Sequence, residues 1–122
     1  MLKNILLVVA LLYTIALALV SLLNASNLPK IRIDNGDKFA HAIAYSLLCF
    51  MWYLVFKTHK LAKALLIAAC VSIIYGILLE VLQGTLTEAR ILDIYDILAN
   101  CIGVAFISII LVVRNKTHIK DL

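Results

Sequence analysis

Four long apolar runs, separated by short polar connections, organise the chain. The first, Ile5–Leu23, is nineteen residues without a charge. The second, Phe39–Phe56, is broken only by His41; the third, Ala64–Leu82, by Glu80; and the fourth, Ile94–Val113, by Asp96 and Asn100. About 20 apolar residues in a helix cross a hydrocarbon layer roughly 30 Å thick. The pattern predicts an all-α, polytopic membrane protein: a four-transmembrane-helix bundle forming a single domain over residues 1–122. The first run is longer than the apolar stretch of a signal peptide, which is about 7–15 residues, so it is expected to stay as a helix.

Composition agrees. Of 122 residues, 65% are hydrophobic and the mean hydropathy is +1.08, against about 45–50% apolar residues in an ordinary soluble domain. A soluble core of this size could not hide so much apolar surface, so membrane lipids are the first partner. The +4 net charge reads as a topology signal. Lys3, then Lys57, Lys60 and Lys63, then Arg114, Lys116 and Lys120 fall on one side of the membrane, and Lys30, Arg32, Lys38 and Arg90 on the other. The side richer in Lys and Arg faces the cytoplasm, which predicts a multi-pass protein of a plasma or inner membrane with both termini cytoplasmic. The basic residues flank spans and carry no aromatic interleaving, so nucleic acid is not an expected partner. Cys49, Cys70 and Cys101 sit one per span, without metal-ligand spacing, and read as packing residues.

A carboxylate at the end of the third run is expensive, and the helical wheel shows where it goes. At 3.6 residues per turn, Leu65, Ala69, Ser72, Gly76, Glu80 and Gln83 share one stripe. Small residues along such a stripe let a neighbouring helix approach, so Glu80 should point into the bundle, as intramembrane charges do. Asp93, Asp96, Asn100 and Gly103 share a face of the fourth run, and Asp37, His41 and Tyr45 a face of the second. Plainer explanations exist for each. Asp93 reads best as a helix cap, Asp96 as cap support and site together, and Asp37 as either. His41 and Tyr45 could be packing residues, and Asn100 an interhelical clasp worth about 0.6 kcal/mol. Caps and clasps do not explain why so many polar groups converge at one end, beneath Arg90 in the third connection.

Three segments carry a resemblance: DKFAHAIAY with Asp37, Lys38, His41 and Tyr45; YGILLEVLQ with Tyr75, Gly76, Glu80 and Gln83; and ARILDIYDILANCIG with Arg90, Asp96, Asn100 and Gly103. In order and spacing they resemble the VanZ-like family, whose pattern is D-K-x-x-H-x-x-x-Y, G-x-x-x-E-x-x-Q, R, then D-x-x-x-N-x-x-G. The resemblance covers residues 37–103. It implies a small membrane protein of the bacterial cell envelope and, since the founding member lowers susceptibility to teicoplanin, a link to glycopeptide resistance.

Three functions remain open on these residues. The first is an enzyme on an envelope substrate, with Glu80, His41 and Asp96 as catalytic acid and base groups. Arg90, Asp37, Lys38, Tyr45, Gln83 and Asn100 would then hold an anionic amphiphile or a lipid-linked cell-wall precursor. The second is a non-catalytic binder of such a molecule; teicoplanin-type drugs themselves carry an acyl chain. The third is a structural protein whose polar residues form a buried network. No cofactor is named by the residues. A divalent ion could sit among Asp37, His41, Glu80 and Asp96, but no compact ligand motif fixes one and no metal is assigned.

The orientation is testable by labelling single cysteines in a cysteine-free background. Lys30→Cys and Glu88→Cys should react with an impermeant reagent on intact cells, and Thr58→Cys only after permeabilisation. External labelling at position 58 would reverse the topology.

Overall fold

The computed structural model describes residues 2–27, 35–86 and 94–117, with side chains placed over 2–22, 38–85 and 94–115. Four helices account for nearly all of them: α1 (Leu2–Asn27), α2 (Asn35–Thr58), α3 (Ala64–Leu86) and α4 (Ile94–Thr117). All four are long and apolar enough to cross a membrane, and no strand occurs among the described residues. The helices outrun the apolar runs, α1 to Asn27 and α3 to Leu86, because backbone hydrogen bonding does not stop where the lipid does. Asp37 is helical in backbone, while its side chain, together with Arg90 and Asp93, lies outside the described residues.

The turn between α2 and α3 is closed by a Schellman arrangement. Leu61 N–H donates to Phe56 O and Lys60 N–H to Lys57 O, both at 3.0 Å. Lys60 takes the left-handed conformation, φ 60°, that this cap requires. The hairpin lays α3 antiparallel along α2.

α2 is the central element. It packs against α1, α3 and, most extensively, α4. α1 is a peripheral wall: 6% of its span is buried, against 28% to 33% in the others. Its exposed face, with Ile5, Leu12, Ile15 and Leu19, is aliphatic, the surface that lipid accepts. The core runs through Tyr45, Leu48, Cys49, Tyr53, Ala68, Val104 and Leu111. Cys49 is fully buried, as a packing residue should be, while Cys70 faces outward, and all three cysteines are free thiols.

Lipid tails are as apolar as leucine, so helices in a membrane associate by close packing and interhelical hydrogen bonds. Both are present. Tyr13 Oη donates to Ala44 O at 2.7 Å, Tyr75 Oη to Thr14 O at 2.5 Å, and Trp52 Nε1 to Thr14 Oγ1 at 2.9 Å. Each ties α1 to the bundle. Ser46 Oγ donates to Gly103 O at 2.7 Å, which locks α2 to α4. At Gly103 the two backbones nearly touch: an added Cβ would lie 2.1 Å from Ala42 O.

Gly103 and Gly76 should therefore respond differently to alanine. At Gly103 the obstacle is backbone, which cannot swing away; Gly103→Ala should cost about 2 kcal/mol or more through overpacking. At Gly76 the obstacles are side-chain atoms, Asn100 Nδ2 at 2.8 Å and Tyr45 Cε2 at 3.0 Å. There the gain of about 1 kcal/mol in helix propensity offsets part of the crowding. Unfolding of the purified variants in mixed micelles, followed by circular dichroism, checks the order.

Candidate functional site

The polar residues converge where α1 and α3 end and α2 and α4 begin. Helix periodicity builds the site in layers. Lys38 and His41 come from the first turns of α2, Asp96 from the first turn of α4, and Glu80 from the last turns of α3. One turn deeper are Tyr45, Asn100 and Gly76. The missing side chain of Gly76 makes room for the Asn100 amide and the Tyr45 ring. Deeper still, the hydroxyls of Ser72 and Ser108 lie beside the Cys49 thiol, and below that the interior is apolar.

Asp96 is fully enclosed, at 0% exposure. Its Oδ1 accepts from Lys38 Nζ at 2.6 Å. Its Oδ2 lies 4.0 Å from His41 Nε2. Glu80 is also buried, at 3% exposure, and its carboxylate is close enough to Tyr45 for the two to interact electrostatically. One ligand-type atom from each of His41, Glu80 and Asp96 lies within 4.8 Å of the other two. Lys38 and His41 retain partial exposure, 26% and 19% of their side chains, so the cluster is reached from the α2 side.

Of the nine residues expected from the sequence, His41, Glu80, Asp96, Lys38, Tyr45 and Asn100 are gathered into this one region. Gln83 is buried beside it and turns its Nε2 to Ser21 O on α1 at 2.8 Å. Asp37 and Arg90 fall outside the described side chains. Asn100 Oδ1 is buried and has no hydrogen-bond partner among the described residues. Sequence reasoning did not pick out Ser46, Trp52 or the bonds of Tyr13 and Tyr75. A signal existed for the aromatic residues, because a phenol or indole buried in an apolar span needs a partner for its polar atom.

A groove of about 460 Å³ opens sideways between α2 and α4, lined by Phe39, Ile43, Leu47, Ile102 and Phe106 with Ser46. It is almost wholly apolar. It begins level with Lys38 and His41 and runs down the lipid-facing side of the same two helices.

Four spanning helices with buried ionisable groups gathered at one end define a small multi-pass membrane protein with a polar site near one membrane boundary. The family model described as VanZ/LLP1 matches residues 2–115, and the chain belongs to that family. Searches of curated proteins and of solved structures return no match.

Breaking the Lys38–Asp96 pair takes a cation from a carboxylate that is fully buried. Lys38→Met should destabilise the bundle by about 1–3 kcal/mol, at or below the scale for removing one member of a buried pair, because Lys38 is partly exposed and His41 stays near Asp96. Lys38→Met combined with Asp96→Leu should recover part of that loss, since an apolar replacement removes the buried charge itself. A double-mutant cycle on unfolding free energies, completed by Asp96→Leu alone, measures the coupling.

Proposed function

We propose that this VanZ/LLP1-family membrane protein receives the head group of an anionic amphiphile, such as a lipid-linked envelope precursor, at its polar end. The amphiphile's tail lies along the apolar helices. The observation that carries this reading is adjacency: a partly open cluster of His41, Glu80 and Asp96 with Lys38 stands beside an apolar groove formed by α2 and α4, the helices that carry three of the four. A molecule with a charged head and a hydrocarbon tail matches that pairing in chemistry and in direction. Lys38 supplies a cation near the entrance, and Arg90, from the connection before α4, is proposed as a second, able to grip a phosphate or carboxylate through two parallel hydrogen bonds. Asp37, Tyr45, Gln83 and Asn100 complete the proposed lining. Glu80, His41 and Asp96 are the acid and base groups of any reaction at the head group.

The Lys and Arg distribution supports placing this end on the outer face of the cell membrane, with both termini cytoplasmic. A site opening toward the outer leaflet meets envelope lipids and lipid-bearing glycopeptides alike. A link to teicoplanin resistance is proposed on that basis and on the family.

One observation favours a structural role instead: the most buried member, Asp96, is already held by Lys38. Binding separates the two. Titrated with a fluorescent long-chain alkyl phosphate, the protein in nanodiscs should bind saturably. Arg90→Ala should weaken binding about tenfold or more and Arg90→Lys restore only part of it, since lysine cannot make the two-pronged contact. No saturable binding, with normal unfolding behaviour, would favour the structural role.

A further inference from the structure

We propose that His41, Glu80 and Asp96 form a binding site for a single divalent transition-metal ion of the zinc or manganese kind. The three residues come from three different helices, yet one ligand-type atom of each lies within 4.8 Å of the others. Two ligands bound to one ion at about 2.1 Å stand about 3–4 Å apart. His41 Nε2 and Asp96 Oδ2, at 4.0 Å, already meet that spacing, and a small rotation of side chains closes the rest. Spans of different sequence do not bring an imidazole and two carboxylates to this separation by capping, because a cap faces its own helix end.

The surroundings are those of a metal site. Asp96 divides its two oxygens, with Oδ1 on Lys38 Nζ and Oδ2 toward His41. A ligating carboxylate is commonly held in this way by a hydrogen bond to its other oxygen. Two buried carboxylates at close range repel each other in a medium of low dielectric, and a dication bound to both reverses that repulsion. One turn below Asp96, the buried Asn100 Oδ1 has no hydrogen-bond partner among the described residues. It is an acceptor available to the ion or to a water bound to it. One imidazole nitrogen with two carboxylate oxygens suits zinc through the nitrogen and manganese through the oxygens; magnesium and calcium prefer oxygen alone, and copper(I) prefers sulfur. Three protein ligands leave coordination positions open, and the approach to them lies on the side of Lys38 and His41, where exposure remains. A phosphate or carboxylate oxygen could occupy them. Only that last step rests on the proposed head-group function; the ion site rests on the ligand geometry.

The full chain, purified with a tag free of histidine, is stripped with EDTA and dialysed against Zn²⁺, Mn²⁺ or Mg²⁺. Metal content is then measured by mass spectrometry, and thermal unfolding is followed in parallel. Wild type should retain about one Zn²⁺ or Mn²⁺ per chain and melt at higher temperature with it. Glu80→Gln, which keeps the side-chain volume, and His41→Gln should each weaken retention by about 10-fold or more. His59→Ala, at the opposite end of the bundle, should retain the ion. No stoichiometric metal in wild type, retention of Mg²⁺ alone, or undiminished metal in both ligand variants would overturn the site. Should the variants not fold, the content and melting shift of wild type decide. Alkyl phosphate binding that persists in EDTA while wild type holds no metal would leave the head-group function standing and remove the ion. A bound ion without alkyl phosphate binding would do the reverse.

Discussion

A carboxylate with no access to water, on a helix otherwise surrounded by lipid, must be compensated within the protein. Asp96 is that group, and Lys38, 2.6 Å away on a neighbouring helix, compensates it. The rest of the bundle follows from holding these two together. α2 and α4 must run close, which Gly103 permits by having no side chain to strike Ala42 O. Ser46 then reaches the Gly103 carbonyl and fixes the register of the two helices. The pair does not itself make the protein stable, because desolvating two charges offsets most of their attraction. What it supplies is selection among arrangements: a helix rotated about its axis would leave Asp96 buried alone or facing lipid.

From that fixed pair the molecule grades along its axis. Ionisable groups occupy the first layer, amide and phenol the second, hydroxyls and a thiol the third, and aliphatic and aromatic side chains most of the remainder. Each step is one helical turn on α2 and α3, and one then two turns on α4, so the gradient is a consequence of three helices running side by side. It confines the buried charged and amide groups to one end and leaves the other half closed by packing, with Tyr53 held near the more exposed Asn115 and Lys57. α1 stands apart from this chemistry. It contributes the carbonyls of Thr14 and Ser21 and the Thr14 hydroxyl as acceptors, and aromatic or amide donors from α2 and α3 attach to them. That is adhesion suited to a medium in which apolar contact alone does not drive helices together.

The same gradient relates the two candidate binding features. The groove between α2 and α4 lies over the close approach of the two helices at Gly103, with Phe39 and Phe106 among its walls. The polar cluster exists because the opposite faces of those helices carry Lys38, His41 and Asp96. The polar cluster and the apolar groove are thus two sides of one helix pair, and a change in its packing would alter both.

Much of this was legible from sequence because lipid simplifies the code. A span must be helical, a charge within it must face protein, and residues three or four apart share a face. Those rules place Glu80, Asp96, Asn100, Ser72 and Gly76 inward, and the structure has them buried. They do not say which helices are neighbours at which depth, and that is what converts polar faces into a site. His41 and Asp96 are fifty-five residues apart in sequence; their 4.0 Å separation depends on the contact at Gly103 and on the tight turn at Lys60. No local ligand motif exists to announce a cluster assembled one residue per helix. Which partner Lys38 takes, and that Gln83 turns toward α1, were likewise decided only by packing, since helical periodicity gives the direction of a side chain but not the identity of the group it meets.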